Sequence, residues 1–358
     1  MNTETIKRRA RTVRRLLKSK KTGSLVVTKP ANVTYMTGFL GGDSWAVIAA
    51  RAVYLLTDSR YTEQAQGECR ACRIIERDTA LPEAASRLLQ KLKVVKSAAV
   101  ENSTTLADFE ALQKKTGRTL KKTANIVEGA RSSKDAGEIA AIRAAGRIAS
   151  QALKQARRYI KTGITESEFA GRLDFQIRKL GAQTSFETIV AFGANGSRPH
   201  HQPSGRKLRR DDYILVDFGA RYKGYCCDLT RCFVVGRPRN IEFYKKVYDA
   251  VQKAQTAAIK MVKAGVAIKR VDSVAREVIA KHDLPVYGHG TGHGLGIEIH
   301  ENPFLNTENK GKLKAGQIIT IEPGVYIPGK LGVRIEDDVL VTQTGFKILT
   351  RSCPHMFS

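Results

Sequence analysis

Four acidic residues stand where a folding chain can least accommodate them. In YILVDFGA (residues 213–220) Asp217 interrupts an apolar run, and in GYCCDLTRCFVV (224–235) Asp228 does the same eleven residues later, with Tyr222, Lys223 and Gly224 forming a turn between them. This spacing predicts two paired antiparallel strands. QIITIEPGVY (317–326) carries Glu322 at the end of a third β-branched run, and GVRIEDDVLVT (332–342) carries Glu336 inside a fourth. A buried carboxylate is costly unless it is paired, protonated or bound to a cation. An arginine or backbone partner accounts for any one of the four alone. All four together point to a shared divalent metal site.

The segment GHGTGHGLG (288–296) sets His289 and His293 among five glycines. Such a turn lets the backbone come close to a bound phosphate or to a metal-bound ligand. The phosphate alternative is the poorer one, because the GxGxxG spacing does not occur there. HExxH zinc chemistry also fails, since Phe304 stands where the second histidine would follow His300 and Glu301. Four carboxylates and an imidazole form an oxygen-rich set, too acidic for one tetrahedral zinc but suited to two divalent ions with bridging carboxylates. Paired ions polarise a carbonyl and acidify a bridging water, so the expected chemistry is hydrolytic.

Short apolar runs alternate with helical patterns through the first ~125 residues (SLVVT, WAVIAA, AVYLLTD, CRIIE, SAAVE; LPEAASRLLQKL, TLADFEALQKK), which predicts a small α/β domain. The polar stretch NIVEGARSSKDAGE (125–138) breaks the pattern. The expected domains are therefore 1–128 and 129–358. Within the second, IKTGITESEFAGRL (160–173) overlays MVKAGVAIKRVDSVA (261–275), so that Lys161 meets Lys263, Gly163 meets Gly265 and Phe169 meets Val271. Thr165 and Glu168 form a capping-box signature. Two related α+β halves would face one another across a cleft, a common place for a site.

No apolar run approaches the ~18 residues of a membrane-spanning helix. Ile6, Ala10, Val13 and Leu17 recur at helical spacing, so the basic N-terminus is expected as a first helix rather than a targeting peptide. Cys69 and Cys72 make a lone CxxC, and Cys226, Cys227, Cys232 and Cys353 are scattered, which fits reduced thiols in a cytoplasmic protein. The balance of 61 Lys+Arg against 34 Asp+Glu, a net charge of +27, would attract polyanions nonspecifically. The basic residues are spread along the chain without a nucleic-acid-reading signature. A nucleic-acid- or ribosome-associated binding protein on the same scaffold is the rival function.

VDFGA, CCDLTR, HGTGHGLG, IEPGVY and VRIEDD, in this order, resemble the five metal-ligand motifs of the pita-bread metallopeptidases, in particular the branch that holds aminopeptidase P and prolidase. TKPANVTYMTGF and LLTDSRYTEQA resemble that branch's N-terminal segments, so nearly the whole chain is included. The resemblance implies a creatinase-like α/β N-terminal domain and an α+β pita-bread catalytic domain with an internal pseudo-twofold repeat. It implies that Asp217 chelates one ion, that Asp228 and Glu336 bridge both, and that His293 and Glu322 complete the other. Manganese is the first expectation, with cobalt, zinc or iron as alternatives. SRPHHQPS resembles the family's Pro-His segment and makes His200 the imidazole that assists proton transfer, with His201 as the alternative. Glu322 would share the proton handling, His300 would support the tetrahedral intermediate, and His289 would line the leaving side of the substrate. Arg334 would either pair with a ligand carboxylate or contact substrate. The implied reaction removes the N-terminal residue before proline, as an Xaa-Pro aminopeptidase or an Xaa-Pro dipeptidase, by attack of a metal-bridging hydroxide. A homodimer is implied too, with the loop from Gly41 to Trp45 near a partner's site. His282 and His355 are expected to be structural.

Overall fold

A computed structural model describes residues 3–236, 238 and 240–353; His355 lies outside the described residues. Two compact units divide the chain, Met1–Arg131 and Ser132–Ser358.

The first unit is built on a mixed six-stranded sheet. Ser24–Val27 lies inside it, antiparallel to Trp45–Ile48 and parallel to Ala98–Glu101. Val53–Thr57 and Arg73–Glu76 extend one side, and Lys121–Thr123 closes the other. The inner strands are buried on both faces, which is why they read as continuous apolar runs rather than as alternations. Helix Thr3–Ser19 buries Ile6, Ala10, Val13 and Leu17 and leaves Arg8, Arg11, Arg15 and Lys18 exposed, as an amphipathic helix does. The stretch 125–138, expected as a break, instead holds a helix, Ile126–Ser132, and the start of the next one. Its polar residues are cap signals: the Asp135 side chain accepts from the Glu138 N–H, and the Glu138 side chain accepts from the Asp135 N–H.

In the second unit one plan occurs twice. Helices Ala136–Ala156 and Glu166–Lys179 pack together beside the antiparallel strands Ile189–Phe192, Tyr213–Phe218 and Leu229–Val234. Helices Ile241–Met261 and Ile268–Ala280 do the same beside a five-stranded sheet that includes Gly292–Gly294, Ile318–Ile321 and Asp337–Val341. The sequence overlay marks the equivalent turns. Gly163 and Gly265 adopt φ of 97° and 90°, a left-handed conformation that favours glycine. Their N–H groups donate to Leu208 (2.9 Å) and Leu313 (2.8 Å), whose own N–H groups donate back to Ile164 and Val266. Thr165 caps the second helix in a complete capping box with Glu168. The two sheets meet where Thr230 bridges to Glu336. Among the described residues no helix is long and apolar enough to cross a membrane.

Candidate metal centre

The acids reach one point because strands end or change sheet there. Asp217 lies on Tyr213–Phe218, opposite Thr230. Asp228 stands one residue ahead of the strand Leu229–Val234, not inside it as its sequence setting suggests. Glu336 is likewise a single bridge residue between Leu331–Arg334 and Asp337–Val341. At both places the chain passes from one sheet to another, and the irregular backbone frees the carboxylate from strict in-and-out alternation. Glu322 follows directly on Ile318–Ile321. His293 sits on Gly292–Gly294, which is wedged between two neighbouring strands. A Cβ at Gly292 would lie 2.0 Å from the Thr320 carbonyl oxygen, so close approach of backbone explains the glycines flanking this histidine.

His293 Nδ1 is 3.0 Å from the Gly294 carbonyl and must donate to it. The Nε2 lone pair is thereby directed 3.4 Å from Glu322 Oε1 and 3.6 Å from Asp228 Oδ2. Asp228, His293 and Glu336 each offer a ligand atom, all within 4.8 Å of one another. Asp217 Oδ1, Asp228 Oδ1 and Glu336 Oε1 are buried without a hydrogen-bond donor. Burial, reinforced by the neighbouring acids, pushes the Asp228 and Glu336 carboxyls well above the usual carboxylate range, and burial raises Glu322 as well. Uncompensated buried charge of this kind costs several kcal/mol per group. Divalent cations would supply the missing charge, and the donor set of carboxylate oxygens plus one neutral imidazole fits them.

Two hydroxyls hold these groups in place. Thr230 Oγ1 donates to Glu336 Oε2 (2.6 Å), and Thr320 Oγ1 donates to Glu322 Oε1 (3.1 Å) while accepting from the His293 backbone N–H (3.0 Å). Behind them, Asp338 Oδ2 accepts from the Asp228 N–H (3.2 Å), and Asp337 is paired with Arg231 at 2.7 Å.

Arg334 pairs with Asp217 at 2.5 Å, and its other N–H groups reach Tyr326 Oη (2.8 Å), Thr230 Oγ1 (3.1 Å) and the Pro199 carbonyl (3.4 Å). His289 Nδ1 is 2.8 Å from the Gly290 carbonyl, so Nε2 accepts from the Tyr326 hydroxyl at 3.0 Å. Burial pushes that phenol up to about 12, which keeps its proton in place for the bond. The two adjacent histidines part company. His200 lines the pocket, whereas His201 is buried and held by Glu166 at 2.8 Å, a carboxylate that also accepts from Ser204, Asn195 and the Phe192 N–H. His300 lies edge-on to His293, with ring centres 4.4 Å apart. His282 is tied to the Val278 carbonyl.

All these groups except His201 and His282 border a cavity of about 520 Å³ or support its lining, and Phe186, Ile189, Ile299 and Phe304 give it apolar walls. Sequence reasoning missed Thr230, Thr320, Tyr326 and Asp338. Their signal is position: each lies two to four residues from an expected ligand, on a strand next to it in the chain.

Residues 140–343 match the profile of metallopeptidase family M24, and residues 9–133 match the creatinase/prolidase N-terminal domain. A Bacillus subtilis protein described as the uncharacterized peptidase YqhT is 37% identical over 331 residues, 92% of this chain and 93% of its own. Among solved structures, an Xaa-Pro dipeptidase from Bacillus anthracis superposes with a TM-score of 0.92 at 31% identity, covering 98% of this chain and 99% of that one. An X-Pro aminopeptidase from Thermotoga maritima gives 0.86 at 34% identity, covering 94% and 97%.

Proposed function

This chain belongs to metallopeptidase family M24, in its prolidase and aminopeptidase P branch, and on that footing we propose that it is a dinuclear-metal exopeptidase that removes the N-terminal residue preceding proline. The observation that carries the proposal is the clustering of ligand atoms from Asp228, His293 and Glu336 within 4.8 Å of one another, in a cavity where Asp217, Asp228 and Glu336 each keep a buried carboxylate oxygen without a donor. In this reading Asp217, Asp228, His293, Glu322 and Glu336 hold two divalent ions, manganese first for so oxygen-rich a set. Such ions supply Lewis acidity toward the scissile carbonyl and a water acidified to serve at neutral pH.

The chain's own groups do the rest. Glu322, oriented by Thr320, and His200 at the pocket wall are placed to accept and return protons. His300 stands beside the ligand cluster, where an N–H donor stabilises a developing oxyanion. Arg334 holds Asp217 and, through Tyr326, fixes His289, so those contacts position the site. The apolar walls suit a prolyl ring. The free thiols of all six cysteines fit a reducing compartment. Hydrolysis of Ala-Pro-Ala against Ala-Ala-Ala by metal-loaded protein tests the proposal: preference for the proline peptide supports it, and equal rates refute the specificity.

A further inference from the structure

Resting on that reading of the pocket, we propose that the site takes peptides of three or more residues in preference to free dipeptides, and that Phe304 sets this preference.

In a dipeptide the free carboxylate belongs to the residue directly after the scissile bond, about 3.8 Å further along the chain by the Cα spacing. It must therefore sit inside the cavity, not beyond its mouth. In a longer peptide the same carbon is a neutral amide. Taking an ionised carboxylate out of water is strongly unfavourable without a cation to meet it, whereas an amide needs only a hydrogen bond.

Among the described residues that line this cavity, Arg334 is the one with a permanent positive charge. It is 3% exposed, its charge is paired with Asp217, and four of its five N–H groups are engaged by Asp217, Tyr326, Thr230 and the Pro199 carbonyl. Both His289 nitrogens are likewise committed. Four carboxylates also line the cavity, and in number they match the charge of two divalent ions.

The apolar wall is Phe186, Ile189, Ile299 and Phe304, with Asn306 as a neutral polar group. Phe304 pairs across the ladder with His293, which places their Cβ atoms about 4.5–5.5 Å apart. Phe304 is 46% exposed, so it overlooks the position next to the candidate ligand while remaining open to a third residue. An aromatic face there favours an apolar side chain after proline and offers nothing to a carboxylate.

The test measures kcat and KM of the full-length, metal-loaded protein on Ala-Pro, its C-terminal amide and Ala-Pro-Ala, with Ala-Ala, its amide and Ala-Ala-Ala in parallel. The amide isolates charge from length. We expect kcat/KM for the amide and the tripeptide to exceed that for the dipeptide about tenfold or more, mainly through KM. Phe304→Arg should raise the dipeptide-to-amide ratio by about tenfold, and Phe304→Lys should raise it too. A free dipeptide cleaved as well as its amide, or no rise in either variant, overturns the proposal. Equal turnover of the alanine and proline series would instead refute the Xaa-Pro reading, while the dipeptide-to-amide ratio within each series still decides this one.

Discussion

Thr320→Val removes one hydroxyl that serves two of the five expected ligands. Valine keeps the shape and β-branching, so the strand Ile318–Ile321 persists. Thr320 is fully buried, and no water replaces the lost atom. The His293 N–H loses its acceptor, and Glu322 loses the donor that sets its rotamer. A buried donor left unmade costs ~1–3 kcal/mol. Loss of such a supporting contact weakens metal affinity ~10–100-fold, equivalent to ~1.4–2.8 kcal/mol. The assay is a chelator-buffered Mn²⁺ titration of wild type and variant, together with urea unfolding of the metal-free proteins. We expect a Kd weaker by about tenfold or more and a metal-free stability lower by about 1–3 kcal/mol, with Thr320→Ser restoring both. A Kd within about twofold of wild type would refute the reasoning, because Thr320 would then not orient the ligands.

Four further substitutions probe other links. His200→Ala should leave metal binding intact and lower kcat by ~10²–10⁴, whereas His201→Ala should strand the buried Glu166 carboxylate and lower stability with little change in kcat; the opposite pattern in paired kinetics and unfolding would exchange their roles. Gly292→Ala would drive a methyl group into the Thr320 carbonyl and force its strand away from Ile318–Ile321, so metal titration should show loss of binding in a folded protein; unchanged affinity would contradict the close approach. Glu101, in the first unit, is raised by burial from 4.5 to about 7 despite N–H donors from Thr28 and Lys29. A raised carboxyl contributes stability that is full below 4.5 and is lost as the pH climbs through about 7. The stability of wild type relative to Glu101→Gln should therefore fall by at most about 3 kcal/mol across that window, and a constant difference by urea unfolding would contradict it.

Much of this architecture is written locally. The inner strands of the first sheet are plain apolar runs, and the first helix shows its buried face in Ile6, Ala10, Val13 and Leu17. Gly163 and Gly265 expose the internal repeat because the same left-handed turn is needed twice. Asp217, Asp228, Glu322 and Glu336 were visible because carboxylates in apolar runs need a shared reason. What stayed hidden depends on tertiary placement. Residues 126–132 look polar along the chain, yet they form a helix whose successor is capped by Asp135. Asp228 and Glu336 sit at sheet changes, which no local pattern announces. His200 and His201 are equivalent as letters, and only folding shows that Glu166 claims the second. Arg334 had two roles open to it until Asp217 and Tyr326 were seen to occupy its guanidinium.

The central claim is that these five side chains bind divalent ions on which peptide cleavage depends. The most direct measurement is peptide hydrolysis by chelator-stripped protein as Mn²⁺ is added back, with bound metal counted in the same samples. The account predicts no cleavage of Ala-Pro-Ala without metal, recovery as about two ions bind per chain, and neither binding nor recovery in Asp228→Asn. Full turnover after chelation, or metal binding undiminished in Asp228→Asn, would contradict it.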